Sequence, residues 1–320
     1  MDLILVPVIL KNNNMKILVA TDKPFAPIAV NQIREVVEAA GYKLALLESY
    51  KSVSEFHAAV VDVDAMIVRS DIVNAEVLNA AKKLKIVVRA GAGYDNLDLA
   101  TCTANKVVAM NTPGQNSNAV AELVFEMMLF QARGGFSGKS GSELRGKTLG
   151  IHAYGFVGKY VALIAKGFGM DIYAYDPFVN ENDILASGVK ACKSAEELYS
   201  KCQYVSLHIP ANEKTKRSIG FDLLNKIPKD AVLINTARKE VINEEDLLKI
   251  METRSDFKYL SDVEPDCKAV FEEKYKGRFI FTAKKMGAQT EEANINSGVA
   301  AATQIVDFFK TGNEKFKVNK

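Results

Sequence analysis

One stretch of this chain, residues 149–158, constrains its fold more than any other. It reads LGIHAYGFVG and places Gly155 and Gly158 at the spacing of the last two glycines of a G-x-G-x-x-G turn, with Ala153 in the first position. A β-like run precedes the turn, an apolar helical pattern follows it, and a second β-like run ends on Asp176. This order of strand, turn, helix, strand and acid predicts a Rossmann unit, in which helices pack on a parallel sheet.

Three positions of this motif suit the binding of a dinucleotide. Gly155 lets the backbone approach a pyrophosphate at the N-terminus of the helix, and Gly158 lets that helix pack closely on the strand. The Asp176 carboxylate can accept hydrogen bonds from a ribose and would repel a 2′-phosphate, so the sequence favours NAD over NADP. A lone glycine turn would be weak evidence, but the flanking strands and the acid make the dinucleotide interpretation the better one.

The composition is that of an ordinary globular protein large enough for two domains. The chain has 320 residues, of which 48% are hydrophobic and 25% are charged, and a net charge of +2. Its scattered basic residues give no reason to expect a nucleic-acid partner. Four cysteines without C-x-x-C spacing and three histidines without a cluster predict reduced thiols, a cytoplasmic location and no metal site.

The ends of the chain carry two further expectations. Residues 1–14 contain an apolar run too short to span a bilayer, and a second start-like sequence begins at Met15, so we interpret these residues as an extension or a misassigned start. No other run is long enough to span a membrane. The end of the sequence at Lys320 predicts a short form without a C-terminal regulatory domain.

Alternating β-like and helical runs predict two α/β domains, each a doubly wound parallel sheet. Five β-like runs occur before residue 112, and six more follow Lys147. We predict that residues 15–112 and 292–320 form a discontinuous flanking domain, because a C-terminal helical pattern returns to it. Residues 113–291 then form the dinucleotide-binding domain.

Five separated motifs occur in the order and spacing of a known enzyme family. They are RAGAGYDNLDL (89–99), NTPGQNSNAVAEL (111–123), YDP (175–177), LHIP (207–210) and NTAR (235–238). Through them the chain resembles the D-2-hydroxyacid dehydrogenases, and within that family the short forms that oxidise 3-phosphoglycerate. The resemblance implies hydride transfer between C2 of a 2-hydroxy acid and NAD, a role in serine biosynthesis, and a homodimer formed through the cofactor domains.

The resemblance also assigns cofactor and catalytic residues in the second domain. Arg238 would bind the substrate carboxylate and polarise the C2 oxygen, which a guanidinium can do through paired hydrogen bonds. Asp262 would hold the nicotinamide amide. The positions implied to contact NAD are Gly155, Phe156, Val157, Gly158, Asp176, Ile209, Thr236, Ala237, Asp262, Gly287 and Ala288.

Substrate specificity is expected in the first domain, which the resemblance makes the substrate-binding domain. Arg69 and Ser70 match the family's phosphate-binding pair, and Gly91 and Ala92 would present backbone N–H groups to the carboxylate. Asn116 is a further candidate for the substrate pocket. Arg69 discriminates among substrates, because a pocket for lactate or glyoxylate has no phosphate to neutralise. The alternative is that Arg69 is an ordinary arginine at the end of a strand.

The chain departs from the family where a catalytic histidine is expected. The segment TAKKMGAQTEEA (282–293) stands in place of T-P-H-x-G-G-x-T, and its register puts Lys285 at the histidine position. The glutamate that orients that histidine is displaced too, because its position holds Cys267. The pair Glu264–Pro265 lies about three residues before the family's glutamate position.

We therefore predict that Lys285 is the general acid and base, with Lys284 as the alternative. A lysine pKa of about 10.4 must fall for this role, and burial and the charge of Arg238 would lower it. Two other functions stay open at this point. One is reduction of another 2-keto acid, such as hydroxypyruvate or glyoxylate. The other is a non-catalytic NAD-binding scaffold, which the missing histidine favours but Arg69, Arg238 and Lys285 oppose.

Overall fold

Two α/β units make up the part of the chain that this computed structural model describes, residues 15–320. The first unit contains residues 15–116 and 291–320, and the second contains residues 117–290. The proposed extension at residues 1–14 lies outside the described residues. Between residues 15 and 320, no helix combines the length and apolar character needed to cross a bilayer.

The first unit is a five-stranded parallel sheet with helices in the connections. Its strands are β1 Lys16–Thr21, β2 Lys43–Glu48, β3 Ala65–Val68, β4 Ile86–Arg89 and β5 Val108–Asn111, in the order β2-β1-β3-β4-β5. Its connecting helices are α1 Pro27–Ala39, α2 Val53–Ala59, α3 Ala75–Ala80 and α4 Leu99–Ala104.

The second unit is a seven-stranded parallel sheet in the order β12-β11-β10-β9-β6-β7-β8. Its strands are β6 Thr148–His152, β7 Asp171–Tyr175, β8 Lys190–Ala191, β9 Tyr204–Leu207, β10 Val232–Asn235, β11 Lys258–Ser261 and β12 Phe279–Phe281. Its helices are α5 Ser117–Ala132, α6 Phe156–Gly167, α7 Glu181–Ala186, α8 Ala195–Lys201, α9 Phe221–Leu224, α10 Glu244–Thr253 and α11 Lys268–Lys274. The chain then returns to the first unit as α12 Glu291–Thr311, which packs on α1.

Each sheet is covered by apolar side chains on both faces, which confirms the predicted doubly wound α/β class. In β1, Ile17 and Val19 enter one apolar cluster, whereas Leu18 and Ala20 enter another. Successive strand residues point to opposite faces, so these clusters lie on the two sides of the sheet. The second unit likewise has two clusters.

Two short elements differ from the sequence prediction. The second unit has seven strands rather than six, because the two-residue strand β8 at its edge is too short to show an alternating pattern. Helix α2 was not predicted, since Phe56 is its one buried residue and leaves no apolar period. Ser52 caps this helix by accepting a hydrogen bond from the Glu55 N–H.

Candidate active site

The turn after β6 has the shape that its glycines predict. A Cβ added at Gly155 would meet no atom within 4 Å, so this N-cap of α6 presents open backbone. A Cβ at Gly158 would lie 2.4 Å from the Ala153 carbonyl oxygen and 3.0 Å from Ile151 Cγ2. Gly155 is therefore open to a phosphate group, and Gly158 allows the helix to pack against the strand.

The alanine in the first fingerprint position keeps the turn conformation that glycine favours. Ala153 has φ +81°, in the left-handed region that L-residues rarely adopt. Tyr154 anchors the strained turn, because its buried side chain shares a 2.6 Å hydrogen bond with the Ser187 hydroxyl. The sequence pattern did not identify this anchor, since tyrosine has no fixed place in the fingerprint.

The Asp176 carboxylate is fixed at the end of β7 by two backbone groups. Its Oδ2 accepts a 2.8 Å hydrogen bond from the Tyr154 N–H, and its Oδ1 accepts one of 2.8 Å from the Phe178 N–H. Each carboxylate oxygen has a second lone pair. Asp176 can therefore accept hydrogen bonds from ribose hydroxyls while its position stays fixed.

A buried asparagine shapes the turn after β10. Asn235 accepts a 3.0 Å hydrogen bond from the Ala237 N–H and donates one of 3.0 Å to the Arg238 carbonyl. The hydroxyl of Thr236 is buried and finds no hydrogen-bond partner among residues 15–320. A buried polar atom of this kind is costly unless something bonds to it, so Thr236 fits a residue that contacts a ligand. Ile209, which follows β9, is buried as well.

Arg238 and Lys285 meet at one backbone oxygen. The carbonyl of Ala237 accepts a 3.0 Å hydrogen bond from Arg238 Nη1 and a 2.7 Å hydrogen bond from Lys285 Nζ. The two predicted catalytic side chains, 47 positions apart in the sequence, are thus brought to the same point. Lys284 is exposed and makes no such contact among the described residues, so the geometry favours Lys285 over it.

Asp262 holds the segment that carries Lys285. Its Oδ1 accepts hydrogen bonds from the Met286 N–H (2.6 Å) and the Thr282 hydroxyl (3.1 Å), and its Oδ2 accepts one from the Gly287 N–H (2.8 Å). A Cβ at Gly287 would lie 2.9 Å from that same Oδ2, so the close approach needs glycine. The contacts of Asp262 with nicotinamide, and those of Gly287 and its neighbour Ala288 with NAD, stay predictions.

The expectation that Lys285 is buried is wrong. Residues 283–286 are all exposed, because they form the tip of the turn that Asp262 fixes from inside.

Glu264 and Cys267 lie near the family's glutamate position, but they do not recreate the family's pair of a catalytic base and an orienting carboxylate. Glu264 forms a 2.6 Å ion pair with Lys268, one helical turn along the chain. Burial, followed by a hydrogen bond to Glu244, raises the pKa of the Cys267 thiol to about 12. Cys267 is therefore a neutral thiol at pH 7 and supplies no negative charge.

The Arg69 guanidinium in the first unit is held by neutral groups. Its Nη1 donates to the Lys23 and Pro24 carbonyls (3.0 and 3.1 Å), and its Nη2 donates to Asn294 Oδ1 (2.5 Å). The guanidinium carbon lies 5.0 Å from the centre of the Phe25 ring. No carboxylate within residues 15–320 forms a salt bridge with it, and burial lowers the pKa of Arg69 from its ordinary value.

The other predicted substrate residues lie in loops at the same edge of this sheet. Ser70 is exposed beside Arg69, and Asn116 is half-buried. Gly91 has φ +147°, and a Cβ there would lie 1.5 Å from Arg89 Nη1, so the Arg89 guanidinium covers this glycine. The carbonyl of Ala92 accepts a 2.6 Å hydrogen bond from Asn111.

Sequence reasoning missed four residues around Arg69 and Gly91. Asn294 and Phe25 lie outside the five motifs, whereas Arg89 and Asn96 both lie in RAGAGYDNLDL (89–99). The available signal was the presence of Arg89 and Asn96 in the same motif as Gly91 and Ala92.

Two histidines, the buried His152 and the half-buried His208, lie beside the cofactor turn. His152 ends β6, and its carbonyl accepts a hydrogen bond from the N–H of His208, which follows β9. The His152 Nδ1 is 3.2 Å from the Tyr199 hydroxyl, and the His208 Nε2 is 3.0 Å from the Ser206 hydroxyl. Burial lowers the pKa of His152 to about 4 and that of His208 to about 3. Both histidines are therefore neutral at pH 7.

These pKa values predict a loss of stability in mild acid. Between pH 6.5 and about 4 the unfolded chain protonates both histidines and the folded chain does not, so stability falls as pH falls. From pH 7 to pH 5 the loss is on the order of 3 kcal/mol for the pair, at about 1.4 kcal/mol per pKa unit. Urea unfolding followed by circular dichroism at pH 7, 6 and 5 measures it. The variant His152→Asn should show about half the slope, and an unchanged slope would contradict the assignment.

Comparisons with known proteins agree with this geometry. Residues 119–273 match the profile of the D-isomer specific 2-hydroxyacid dehydrogenase, NAD binding domain. A hydroxypyruvate reductase of Thermotoga maritima is 33% identical over 76% of this chain and 84% of its own. The crystal structure of a 3-phosphoglycerate dehydrogenase from Entamoeba histolytica with bound NAD+ is 50% identical, covers 96% of this chain and 99% of its own, and has a TM-score of 0.86.

The chain belongs to the D-isomer-specific 2-hydroxyacid dehydrogenase family. This confirms the resemblance drawn from the five motifs and the Rossmann character of the second unit. A D-3-phosphoglycerate dehydrogenase of Methanocaldococcus jannaschii is also 33% identical over 76% of this chain, but over only 49% of its own length. The chain thus spans about half the length of that relative.

The second unit is the family's NAD-binding domain, and its residues fit NAD. The open backbone at Gly155 leaves room for a pyrophosphate, the fixed Asp176 carboxylate has lone pairs for ribose hydroxyls, and the Thr236 hydroxyl finds no partner among residues 15–320. The contacts of these residues with NAD stay predictions. Within residues 15–320, no group of three histidine, cysteine, aspartate or glutamate side chains is arranged to hold a metal ion.

Proposed function

We propose that this protein oxidises 3-phosphoglycerate to 3-phosphohydroxypyruvate with NAD, the entry step of phosphorylated serine biosynthesis. The observation that carries the proposal is the Arg69 guanidinium, which is partly withdrawn from water and held by neutral oxygens. A desolvated cation without a carboxylate partner attracts an anion. The relatives that are named phosphoglycerate dehydrogenases support the same substrate.

The first unit binds the substrate in this proposal. The three hydrogen bonds to Lys23, Pro24 and Asn294 use three of the five N–H donors of Arg69. The remaining donors bind the phosphate, together with the Ser70 hydroxyl. Backbone N–H groups at Gly91 and Ala92 bind the substrate carboxylate, and Asn116 contributes a further polar contact.

The second unit carries the reacting groups. NAD, when bound, accepts the hydride from C2. Arg238 donates hydrogen bonds to the substrate carboxylate and the C2 oxygen, where they stabilise the charge that develops during the reaction. The Lys285 amine removes the proton from the C2 hydroxyl during oxidation and returns it during reduction. The shared contact of Arg238 and Lys285 with the Ala237 carbonyl supports this pairing.

The charge of Arg238 also supports the choice of lysine as a base. A nearby like charge disfavours the protonated form of an amine.

A homodimer formed through the second unit is part of the proposal. Helix α5 and the turn after it expose Phe130 and Phe136, which contact each other edge to face at 5.1 Å between ring centres. Leu163 on the adjacent helix α6 is exposed too. A surface of this kind is typical of a protein–protein contact.

Steady-state oxidation of NADH with three keto acids tests the proposal. We expect kcat/KM for 3-phosphohydroxypyruvate to exceed that for hydroxypyruvate and glyoxylate by about 10²-fold, the order expected when a charged hydrogen-bonded group finds its partner. Equal values for phosphorylated and unphosphorylated substrates would make the protein a general 2-keto acid reductase. No turnover with any of them, in a protein that binds NADH, would indicate a non-catalytic scaffold.

A further inference from the structure

One buried carboxylate joins three loops at the carboxyl edge of the first sheet. Asp71 is only 4% exposed. Its Oδ1 accepts 2.7 Å hydrogen bonds from the Asp22 N–H, directly after β1, and from the Tyr50 hydroxyl, after β2. Its Oδ2 accepts a 3.2 Å hydrogen bond from the Arg69 N–H, directly after β3. Asp71 therefore connects the loops that follow three neighbouring strands.

The backbone carbonyl groups of the turn from Arg69 to Asp71 also accept hydrogen bonds, in this case from side chains. Asn96 Nδ2 donates to the Asp71 carbonyl at 2.7 Å and to the Arg69 carbonyl at 3.3 Å. The Arg89 Nε donates to the Arg69 carbonyl at 3.1 Å. The backbone of this turn therefore has hydrogen-bond partners on both sides, which is how a loop gains a fixed position.

Hydrogen bonds from within the protein occupy both oxygens of the Asp71 carboxylate. Its two oxygens face three donors, and burial together with the hydrogen bond to Asp71 raises the pKa of the Tyr50 hydroxyl. Tyr50 thus stays protonated at neutral pH and continues to donate. A carboxylate bonded in this way can lie two residues from an anion-binding arginine without making that arginine its ion-pair partner.

We propose that Asp71 is a positioning residue that sets Arg69 for a phosphoryl group and so determines the preference for phosphorylated substrates. The inference rests on the proposed role of Arg69 in phosphate binding. If the Asp71 carboxylate is lost, the loops after β1 and β2 separate from the turn, and the Lys23 and Pro24 carbonyls that hold the Arg69 guanidinium move with the first of them. The phosphate then loses its aligned partner, whereas the reacting end of the substrate does not.

The substitution Asp71→Asn tests this with little change in volume. An asparagine side chain oriented to accept from Asp22 and Tyr50 turns its amide N–H₂ toward the Arg69 N–H, which places donor against donor. We expect KM for 3-phosphohydroxypyruvate to rise with kcat within a few-fold of wild type. The ratio of kcat/KM for 3-phosphohydroxypyruvate to that for hydroxypyruvate should fall about tenfold, as for the loss of a charge-assisted hydrogen bond.

Asp64→Asn is the matched control. Asp64 lies in the same unit at the opposite edge of the sheet, where its Oδ2 accepts a 3.0 Å hydrogen bond from the Lys16 N–H at the start of β1. Removing its charge perturbs the same strand without touching the Arg69 loop, so we expect the substrate ratio to stay at the wild-type value. Tyr50→Phe, which deletes one donor and leaves the carboxylate, should lower the ratio by about three-fold.

The outcomes separate this inference from the proposed function. A substrate ratio that falls in Asp71→Asn and stays constant in Asp64→Asn supports positioning by Asp71. If the substrate ratio is the same in Asp71→Asn and Asp64→Asn, the inference is overturned, even if both proteins are less stable than wild type. If Asp71→Asn does not fold, an unchanged ratio in Tyr50→Phe overturns the inference. An unchanged ratio after removal of the Arg69 side chain would instead reject the phosphate site itself.

Discussion

Replacing Lys285 with methionine should lower kcat by about 10²–10⁴-fold, the usual contribution of a positioned general acid or base. Methionine keeps the unbranched shape of lysine and cannot carry a proton. The lysine amine reaches the Ala237 carbonyl, where Arg238 also donates a hydrogen bond, so its loss removes the proton acceptor from beside the predicted C2 oxygen site. Steady-state oxidation of NADH with 3-phosphohydroxypyruvate measures the effect.

The adjacent lysine provides the control for this experiment. Lys284 is exposed, has the same charge and lies one residue away, so Lys284→Met should keep kcat within a few-fold of wild type. NADH affinity, measured by the fluorescence of the bound dinucleotide, should be unchanged in both variants, because neither side chain belongs to the cofactor turn. Partial recovery of Lys285→Met by added methylamine would support proton transfer. Turnover of Lys285→Met within a few-fold of wild type would contradict the assignment.

The sequence was sufficient to predict the local geometry of the turn after β6. Gly155, Gly158 and Asp176 follow from the chemistry of a strand–turn–helix unit, in which each residue acts within its own turn or on the neighbouring strand. The prediction of Lys285 rests on its distance from Asp262, a register that the surrounding sequence preserves. The structure adds that Asp262 and the Lys285 segment are directly hydrogen-bonded.

The parts that the sequence could not predict depend on contacts between distant residues. Arg69 and Asn294 are 225 positions apart and meet because α12 returns to the first unit. Asp71 forms hydrogen bonds with loops that follow three different strands, and the pattern of hydrophobic residues in a sequence does not indicate contacts of this kind. The expected burial of Lys285 was wrong for a related reason, since exposure depends on the fold of its turn rather than on its neighbours in sequence.

Replacing Arg69 with methionine should abolish most of the preference for phosphorylated substrate. The guanidinium is held by neutral oxygens at Lys23, Pro24 and Asn294, so its charge is available to a phosphate. We expect kcat/KM for 3-phosphohydroxypyruvate to fall about 10²-fold, while that for hydroxypyruvate changes by a few-fold at most. The effect should lie mainly in KM, because the lost contact is made equally in the ground state and the transition state.

Two further variants show why the preference for phosphorylated substrate is lost in Arg69→Met. Arg34→Met removes an exposed arginine of helix α1, where it pairs with Glu38, and should leave the substrate ratio unchanged. Arg69→Lys keeps the positive charge but lacks the planar donor fork, so it should recover only part of the phosphate preference. Full recovery in Arg69→Lys would show that charge alone selects the phosphate and that the aligned contacts around Arg69 are dispensable. An unchanged ratio in Arg69→Met would place the phosphate elsewhere and favour a general 2-keto acid reductase.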